Sequence, residues 1–521
     1  MIFTYDNTSK TSLEASPNMK ARDIVIETDP SLTVSSQLNL PAEAPKDIKV
    51  ASFNVWGLLI SKHRKDRMKA IAEHLKSSDY EVVGLQELWM RKDYEQLAEE
   101  LSEAFPFSYY FKSGQIGSGM ATFSKFPIKQ AMFHRFMLNG QAHHIWHGDW
   151  WSGKGVGLTR IAVSQNFTIN FYNTHLHAEY DKEEQYYLGH RISQLQQLLQ
   201  FVQMSSAVPE SEKYLNVIVG DLNTMPDCVS FDLFFKKDII GMKLLDAAQV
   251  YATTTNSALT NSYNLPGNTF GKPKQPEQRI DYILYKGSDG IGVGEFGVLA
   301  EDKLACEGKV SLSDHSLIWS KFSLTNKNFK AEAAEPTATN EEQISVIKQA
   351  IAILSKDIHY TKRSQTRHII LSAVQLVLFL AITIGVSLIL TFGSLPLFIT
   401  LLAFIVAPGL LIGCILSAII AVVWLPDELA HLHGFASQWN LALAARGIES
   451  LPVNGIVEAM DANPEAIEQM CTVTGQKFDK ALIKQLLKER KEFSKIEQMK
   501  PSSDVVAIDI EAPAEISAPI R

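Results

Sequence analysis

The sequence predicts a layered α/β sandwich that ends in a paired apolar hairpin. Three observations carry this expectation. Between residues 46 and 325, short apolar runs bounded by turn residues recur at strand length, with helical stretches among them. A mixture of this kind folds into layers rather than one open parallel sheet. Beyond residue 368, two runs without a charged residue follow each other across a break of four residues.

The elements are read in order. Residues 1–45 are polar and rich in Ser, Thr and Pro, a flexible leader with a short edge strand at Ile24–Thr28. The strand-length runs are Val50–Val55, Glu81–Leu85, Gly119–Phe123, Val156–Val163, Phe167–Tyr172, Val217–Val219, Ile280–Tyr285 and Leu317–Leu324. Two stretches have helical spacing instead. Lys65–Leu75 carries Met68, Ile71 and Leu75 on one face, and Ile192–Val202 carries Ile192, Leu195, Leu199 and Val202. Residues 326–343 lack a core pattern and read as a linker. Residues 344–367 read as an amphipathic juxtamembrane helix on Ile344, Ile347, Ile351 and Leu354.

Ile369–Phe392 and Leu397–Leu425 are uncharged, and Gly393-Ser394-Leu395-Pro396 separates them. A spanning helix needs about 20 apolar residues, so residues 368–425 predict a transmembrane hairpin. Lys356, Lys362, Arg363 and Arg367 precede it, which places that side in the cytoplasm. Pro408-Gly409 marks a kink or a re-entrant half-helix. Residues 426–521 read as a cytoplasmic tail, helical around Phe478, Leu482, Leu486 and Phe493 and disordered from Pro501.

A net charge of −8 argues against nucleic-acid binding, which needs a basic footprint. The four cysteines have neither metal-type nor disulfide-type spacing. His143, His144 and His147 lack the helical spacing and fourth ligand of a zinc site.

Polar residues stand at the exits of the expected strands, where an α/β scaffold gathers them into one cleft. In chain order they are Asn54, Gln86-Glu87, Thr174-His175, Gly220-Asp221-Leu222-Asn223, Arg279-Ile280-Asp281 and Ser313-Asp314-His315. Each fragment alone reads as a cap, an Asx turn or a core histidine. Six of them in one domain read as a site. Histidine exchanges protons near neutral pH, so the set can serve acid–base chemistry.

This order resembles the endonuclease/exonuclease/phosphatase superfamily, which includes DNase I and the inositol polyphosphate 5-phosphatases. Asn54-Val55-Trp56-Gly57, Ser61-Lys62-His63-Arg64, Asp66-Arg67-Met68, His147-Gly148-Asp149-Trp150 and His175-Leu176-His177-Ala178-Glu179-Tyr180 are similar, more narrowly, to the neutral sphingomyelinases. The resemblance implies a four-layered αββα sandwich (DNase I-like), followed by the transmembrane hairpin and a small helical tail. It implies a magnesium-dependent hydrolase, with manganese able to substitute, that cleaves sphingomyelin or a related choline phospholipid at a lipid bilayer. Glu87, with Asn54 and Asp314, would hold the metal. His175 and His315 would contact the phosphoryl group, Asp281 would orient His315, and Asp221 and Asn223 would place the water. Whether His315 or Asp221 takes the water's proton is open. Asp149 and Lys154 would act on substrate from a gating loop. The competing readings are a phospholipase C for lysophosphocholine lipids, a membrane-tethered nuclease, a 5-phosphatase and a decayed adaptor. The absence of a Lys/Arg strip weighs against the nuclease.

Overall fold

The computed structural model describes residues 40–144, 147–180, 187–272, 274–299, 304–305, 310–324 and 338–451. The leader strand at 24–28 and the tail helix around Phe478 lie outside them. In chain order the elements are β1 (Asp47–Asn54), α1 (Arg64–Lys76), β2 (Val82–Gln86), α2 (Arg91–Glu100), β3 (Phe107–Tyr110), β4 (Ala121–Ser124), β5 (Ile128–Arg135), β6 (Gly155–Ser164), β7 (Phe167–His175), α3 (Leu188–Ser205) and β8 (Lys213–Asp221). Then come the one-turn α4 (Val229–Phe231), β9 (Leu245–Asp246), α5 (Ala247–Thr255), β10 (Asp281–Gly287), β11 (Gly292–Val298), β12 (Leu304–Ala305), β13 (Val310–Ser311) and β14 (Ile318–Ser323). Three long helices follow: α6 (Asn340–Phe392), α7 (Leu397–Ile419) and α8 (Leu425–Ala444).

Two six-stranded sheets, ordered β11-β14-β1-β2-β4-β3 and β5-β6-β7-β8-β10-β9, pack face to face. Side chains alternate across a strand, and β1 shows how this builds the layers. Ile48 and Val50 face the second sheet and meet a core with Phe171, Val217, Val219 and Ile283. Ala51 and Phe53 face the other way, against Met68, Ile71 and Leu75 of α1. Each of those three helix side chains is buried, worth about 1.5–3 kcal/mol. On the far side α3 covers β7, where Tyr172 Oη lies 3.0 Å from Ser205 Oγ. The result is helix, sheet, sheet, helix. Gly84 lets the sheets approach, since a Cβ there would come within 2.7 Å of Val219 Cγ2.

The observed strands outrun the apolar runs. Val217–Val219 is the centre of nine-residue β8, and β7 continues to His175. Many of the extra residues, Asn173, Thr174, His175, Asn216 and Asp221 among them, are polar but buried, so hydropathy does not mark them. Elements without an apolar run were missed altogether. Edge strand β5 is mostly half-exposed, and α2 buries only Asp93 and Leu97.

The linker reading of 326–343 needs correction at its end. Thr339 and Glu342 form a capping box there, with Thr339 N–H donating to Glu342 Oε2 at 2.9 Å and Glu342 N–H to Thr339 Oγ1 at 3.2 Å. The helix they start runs 53 residues without a break, so the expected amphipathic helix and first apolar run are one element. No proline interrupts it, and its first half buries Ile347, Ile351, Leu354 and Ile358. The re-entrant reading at Pro408-Gly409 is also corrected, because α7 passes through Pro408 as one helix. Ser372 Oγ donates to Cys414 O at 3.1 Å, pairing α6 with α7. A π-helical turn, Ile420–Trp424, leads into α8. There the expected tail starts as a helix that docks on the sandwich, with Trp439 beside Phe234 and Gln438 accepting from Gln196 at 2.6 Å. Both α6 and the α7–α8 run are long and apolar enough to cross a bilayer.

Candidate active site

Strand register assembles the first part of the site. In the second sheet His175 pairs with Asp221 across β7 and β8, and Asp221 pairs with Asp281 across β8 and β10. Three residues far apart in sequence thus stand in one row at a sheet end. Gly220 makes this possible, since at φ 146° a Cβ would lie 1.8 Å from Thr174 O. In the first sheet Asn54 pairs with Gln86 at the same end of the inter-sheet crevice. Asn54 Nδ2 bridges the sheets, donating to Asp221 Oδ2 and to Glu87 Oε1, both at 3.1 Å. Glu87, Asn223 and Trp56 all have positive φ, a conformation bulky residues rarely adopt and one that clusters at functional sites.

His315 reaches the row from the segment before β14. Its Nδ1 lies 2.9 Å from Asp281 Oδ2, and its Nε2 lies 3.7 Å from Asp221 Oδ2. Ser262 Oγ donates to the same Asp281 oxygen at 2.7 Å, fixing the carboxylate that fixes the imidazole. Burial alone would depress the His315 pKa, but Asp281 and Asp221 hold it well above the ordinary range. Burial, followed by repulsion from Asp281, pushes Asp221 up to about 7. Asp221 Oδ1 accepts from the Asn223 backbone at 2.8 Å, while Asn223 Nδ2 is held by Leu176 O at 3.0 Å.

His175 closes the other flank, its Nε2 3.5 Å from Asp221 Oδ2 and 3.1 Å from Lys154 Nζ. Burial and then the lysine hold this imidazole well below its ordinary pKa. Lys154 also donates to Leu176 O at 2.8 Å and pairs with Asp149 Oδ1 at 2.5 Å. Asp149 and Lys154 are both buried. Burial would raise the Asp149 carboxyl, but Lys154 and then His177 hold it below the ordinary range.

Glu87 differs. Burial and then the like charge of Asp314 raise its carboxyl, and among the described residues no Lys or Arg forms an ion pair with either. Oxygen donors with unbalanced negative charge fit a hard divalent cation. Asp221, Asp281 and His315 also put ligand atoms within 4.8 Å of one another. Asp281 Oδ2 already accepts from Ser262 and faces His315 Nδ1, so that trio is a hydrogen-bonded relay rather than an open ligand set.

The sequence matches the endonuclease/exonuclease/phosphatase family over residues 51–315. The chain belongs to that family. Among curated relatives, human sphingomyelin phosphodiesterase 2 is 34% identical over 245 residues, 47% of this chain and 57% of that protein. The rat protein of the same name is 34% identical over 254 residues, covering 47% and 57%. A Schizosaccharomyces pombe protein named inositol phosphosphingolipids phospholipase C is 36% identical over 195 residues, 37% and 45%. The chain thus spans about half the length of these relatives. The crystal structure of SmcL aligns with a TM-score of 0.40 and 19% identity over 54% of this chain and 99% of that one, an overlap that adds nothing to the fold described above.

Within this endonuclease/exonuclease/phosphatase domain, every site residue expected from sequence except Asp314 joins the hydrogen-bonded or ion-paired network just described. Asp314 lies beside it, taking a 3.3 Å bond from Ser313 Oγ. Three contributors were not expected. Ser262 lies in a segment without a motif, and nothing in the sequence marked it. Tyr263 places its ring 4.8 Å from that of His315. Arg67, fully buried, donates to Val55 O, Trp56 O, Lys62 O and Leu312 O and so ties the segments after Asn54 and before His315 together. A charged residue inside the apolar face of α1 was the available signal.

Proposed function

We propose that the chain is a metal-dependent sphingomyelin phosphodiesterase that releases phosphocholine and ceramide. The observation that carries this is the single row His175, Asp221, Asp281 with His315, set beside the unbalanced Glu87–Asp314 pair. The curated relatives' names support the lipid substrate. A divalent ion, magnesium by preference, held by Glu87 with Asp314 and Asn54 beside it, would neutralise charge on the phosphoryl oxygens. Asn54 would orient the Glu87 and Asp221 carboxylates. Asp221 and Asn223 would place the water, whose oxygen attacks phosphorus as the bond to the ceramide oxygen breaks. The Asp221–His315 pair would take the water's proton and return one to the departing ceramide oxygen, with Asp281 and Ser262 holding His315 in register. His175 would hydrogen-bond the opposite side of the phosphoryl group, with the Lys154 ammonium, still paired to Asp149, beside it.

The hairpin reading belongs to the same proposal. Lys356, Lys362, Arg363 and Arg367 before the first apolar run would keep the sandwich and α8 on the cytoplasmic side. The fission-yeast relative favours a second reading, an inositol-phosphate headgroup on the same lipid backbone. Incubating the purified chain with labelled sphingomyelin, inositol phosphosphingolipid, lysophosphatidylcholine and DNA, with and without magnesium, separates these. Magnesium-dependent release of phosphocholine from sphingomyelin is expected. Turnover of DNA alone overturns the reading.

A further inference from the structure

We propose that the Leu58-Leu59-Ile60 turn is a wedge that seats in the lipid surface and holds the mouth of the crevice against it. This rests on the reading of a lipid substrate and a membrane hairpin. The three side chains are consecutive, apolar and 37%, 68% and 90% exposed. They are not a loose loop. Ser61 N–H and Oγ both donate to Leu58 O, at 3.0 and 2.8 Å, and Arg67 donates to Ser61 Oγ at 2.9 Å from beneath. A clamped turn that presents its apolar side outward forgoes burial it could have had within the fold.

Its position is tied to the site. Gly57 N–H donates to Glu87 O at 2.9 Å, and a Cβ there would come within 2.5 Å of that oxygen. On the other side of the same segment, Leu88 N–H donates to Gly119 O at 2.8 Å. The loop leading to Gly119 carries Ile116, 43% exposed, and Ile116 N–H donates to Trp151 O at 3.4 Å. Apolar groups therefore flank Glu87 on both sides. The partner is indicated by Trp150, whose ring lies 5.1 Å from that of Trp424 at the end of the second apolar run. Trp151 and Trp150 thus link the Ile116 loop to the end of the hairpin, and in this proposal one bilayer meets both. Lys62 and Lys65, exposed just beyond the turn, supply the cations that flank interfacial apolar segments. The acyl chains of the substrate would then stay in lipid while only the headgroup enters the crevice.

The test uses the full chain reconstituted in sphingomyelin-containing vesicles. A photoreactive benzoylphenylalanine is incorporated in place of Ile60 and, separately, of Met204, which is 77% exposed at the end of α3. Lipid adducts at the first position and none at the second are expected. Equal labelling at both, no lipid adduct at the Ile60 position, or adducts there only to another protein or a second copy of the chain overturns the proposal. In parallel, Leu59→Ser with Ile60→Ser should raise the apparent KM for vesicle substrate about tenfold with kcat within about twofold, because surface docking and not chemistry is weakened. A fall in kcat at unchanged KM overturns it. If the unaltered chain hydrolyses no lipid, the substrate reading fails while the cross-link still reports whether the turn sits in the bilayer.

Discussion

Two acidic groups border the crevice and are treated in opposite ways. Asp149 is enclosed with its own cation, Lys154 at 2.5 Å, and also accepts from the Ala178 backbone at 3.0 Å. Glu87 accepts from the neutral Asn54 amide and faces Asp314, with no Lys or Arg ion-paired to it among the described residues. One cluster is neutralised by the fold itself. The other has no ion-paired cation among the described residues, although Lys154 and His315 act on it through space. A buried charge without a partner costs several kcal/mol, so the cation proposed at Glu87 would relieve there what Lys154 relieves at Asp149.

The difference is broken most severely by removing the cation. EDTA should abolish hydrolysis, and magnesium or manganese should restore it. Glu87→Gln, which keeps the shape and removes the charge, should lower kcat by about 10²-fold or more without loss of folding. Full turnover of the unaltered chain in EDTA would show that Glu87 needs no ion. Next, His315→Ala and His175→Ala should each cost roughly 10²–10⁴ in kcat, the range for an acid–base group. A normal rate in either variant would remove that imidazole from the phosphoryl group.

Lys154→Met attacks the balanced side. It leaves the Asp149 carboxylate buried alone and should lower unfolding stability by about 3–5 kcal/mol, with Asp149→Asn on top restoring part of it. Because the Asp149 pKa is held below that of the unfolded chain, the pairing stabilises fully above about pH 4 and is lost as pH falls further. Denaturant titrations of the wild type and Lys154→Met should therefore converge in strong acid. Equal stability at pH 7 would mean that the pair is solvated. The smallest effect is expected at Ser262→Ala, which removes one 2.7 Å bond to Asp281. Losing about 1 kcal/mol of orientation at His315 should reduce kcat about fivefold with KM unchanged. No change would leave Asp281 to hold the imidazole unaided.

Hydropathy and strand-exit chemistry read well where apolar runs end on polar residues, as at Asn54, Glu87 and Asp221. They failed where burial is polar. Gln86 and Asn173 lie between the sheets and bond each other at 2.8 Å, yet neither extends an apolar run, so the expected strands stop at Leu85 and Tyr172 while β2 continues to Gln86 and β7 to His175. The resemblance puts Asp149 and Lys154 in a gating loop, and no apolar run marks their burial. The structure packs them against His175 and Leu176.

By itself the sequence determined the alternation of apolar runs, the six polar fragments at their exits and the uncharged hairpin, because period and composition are local properties of a chain. It also carried the order of those fragments, on which the family resemblance rests. Only the tertiary structure decided which fragments meet. Sheet register set His175, Asp221 and Asp281 in one row, and α6 ran unbroken from the sandwich into the apolar span. Register and docking depend on pairings between residues far apart in the chain, 261 positions between Asn54 and His315 and 287 between Gln141 and Glu428. No local periodicity encodes such a pairing; the packing of two sheets does.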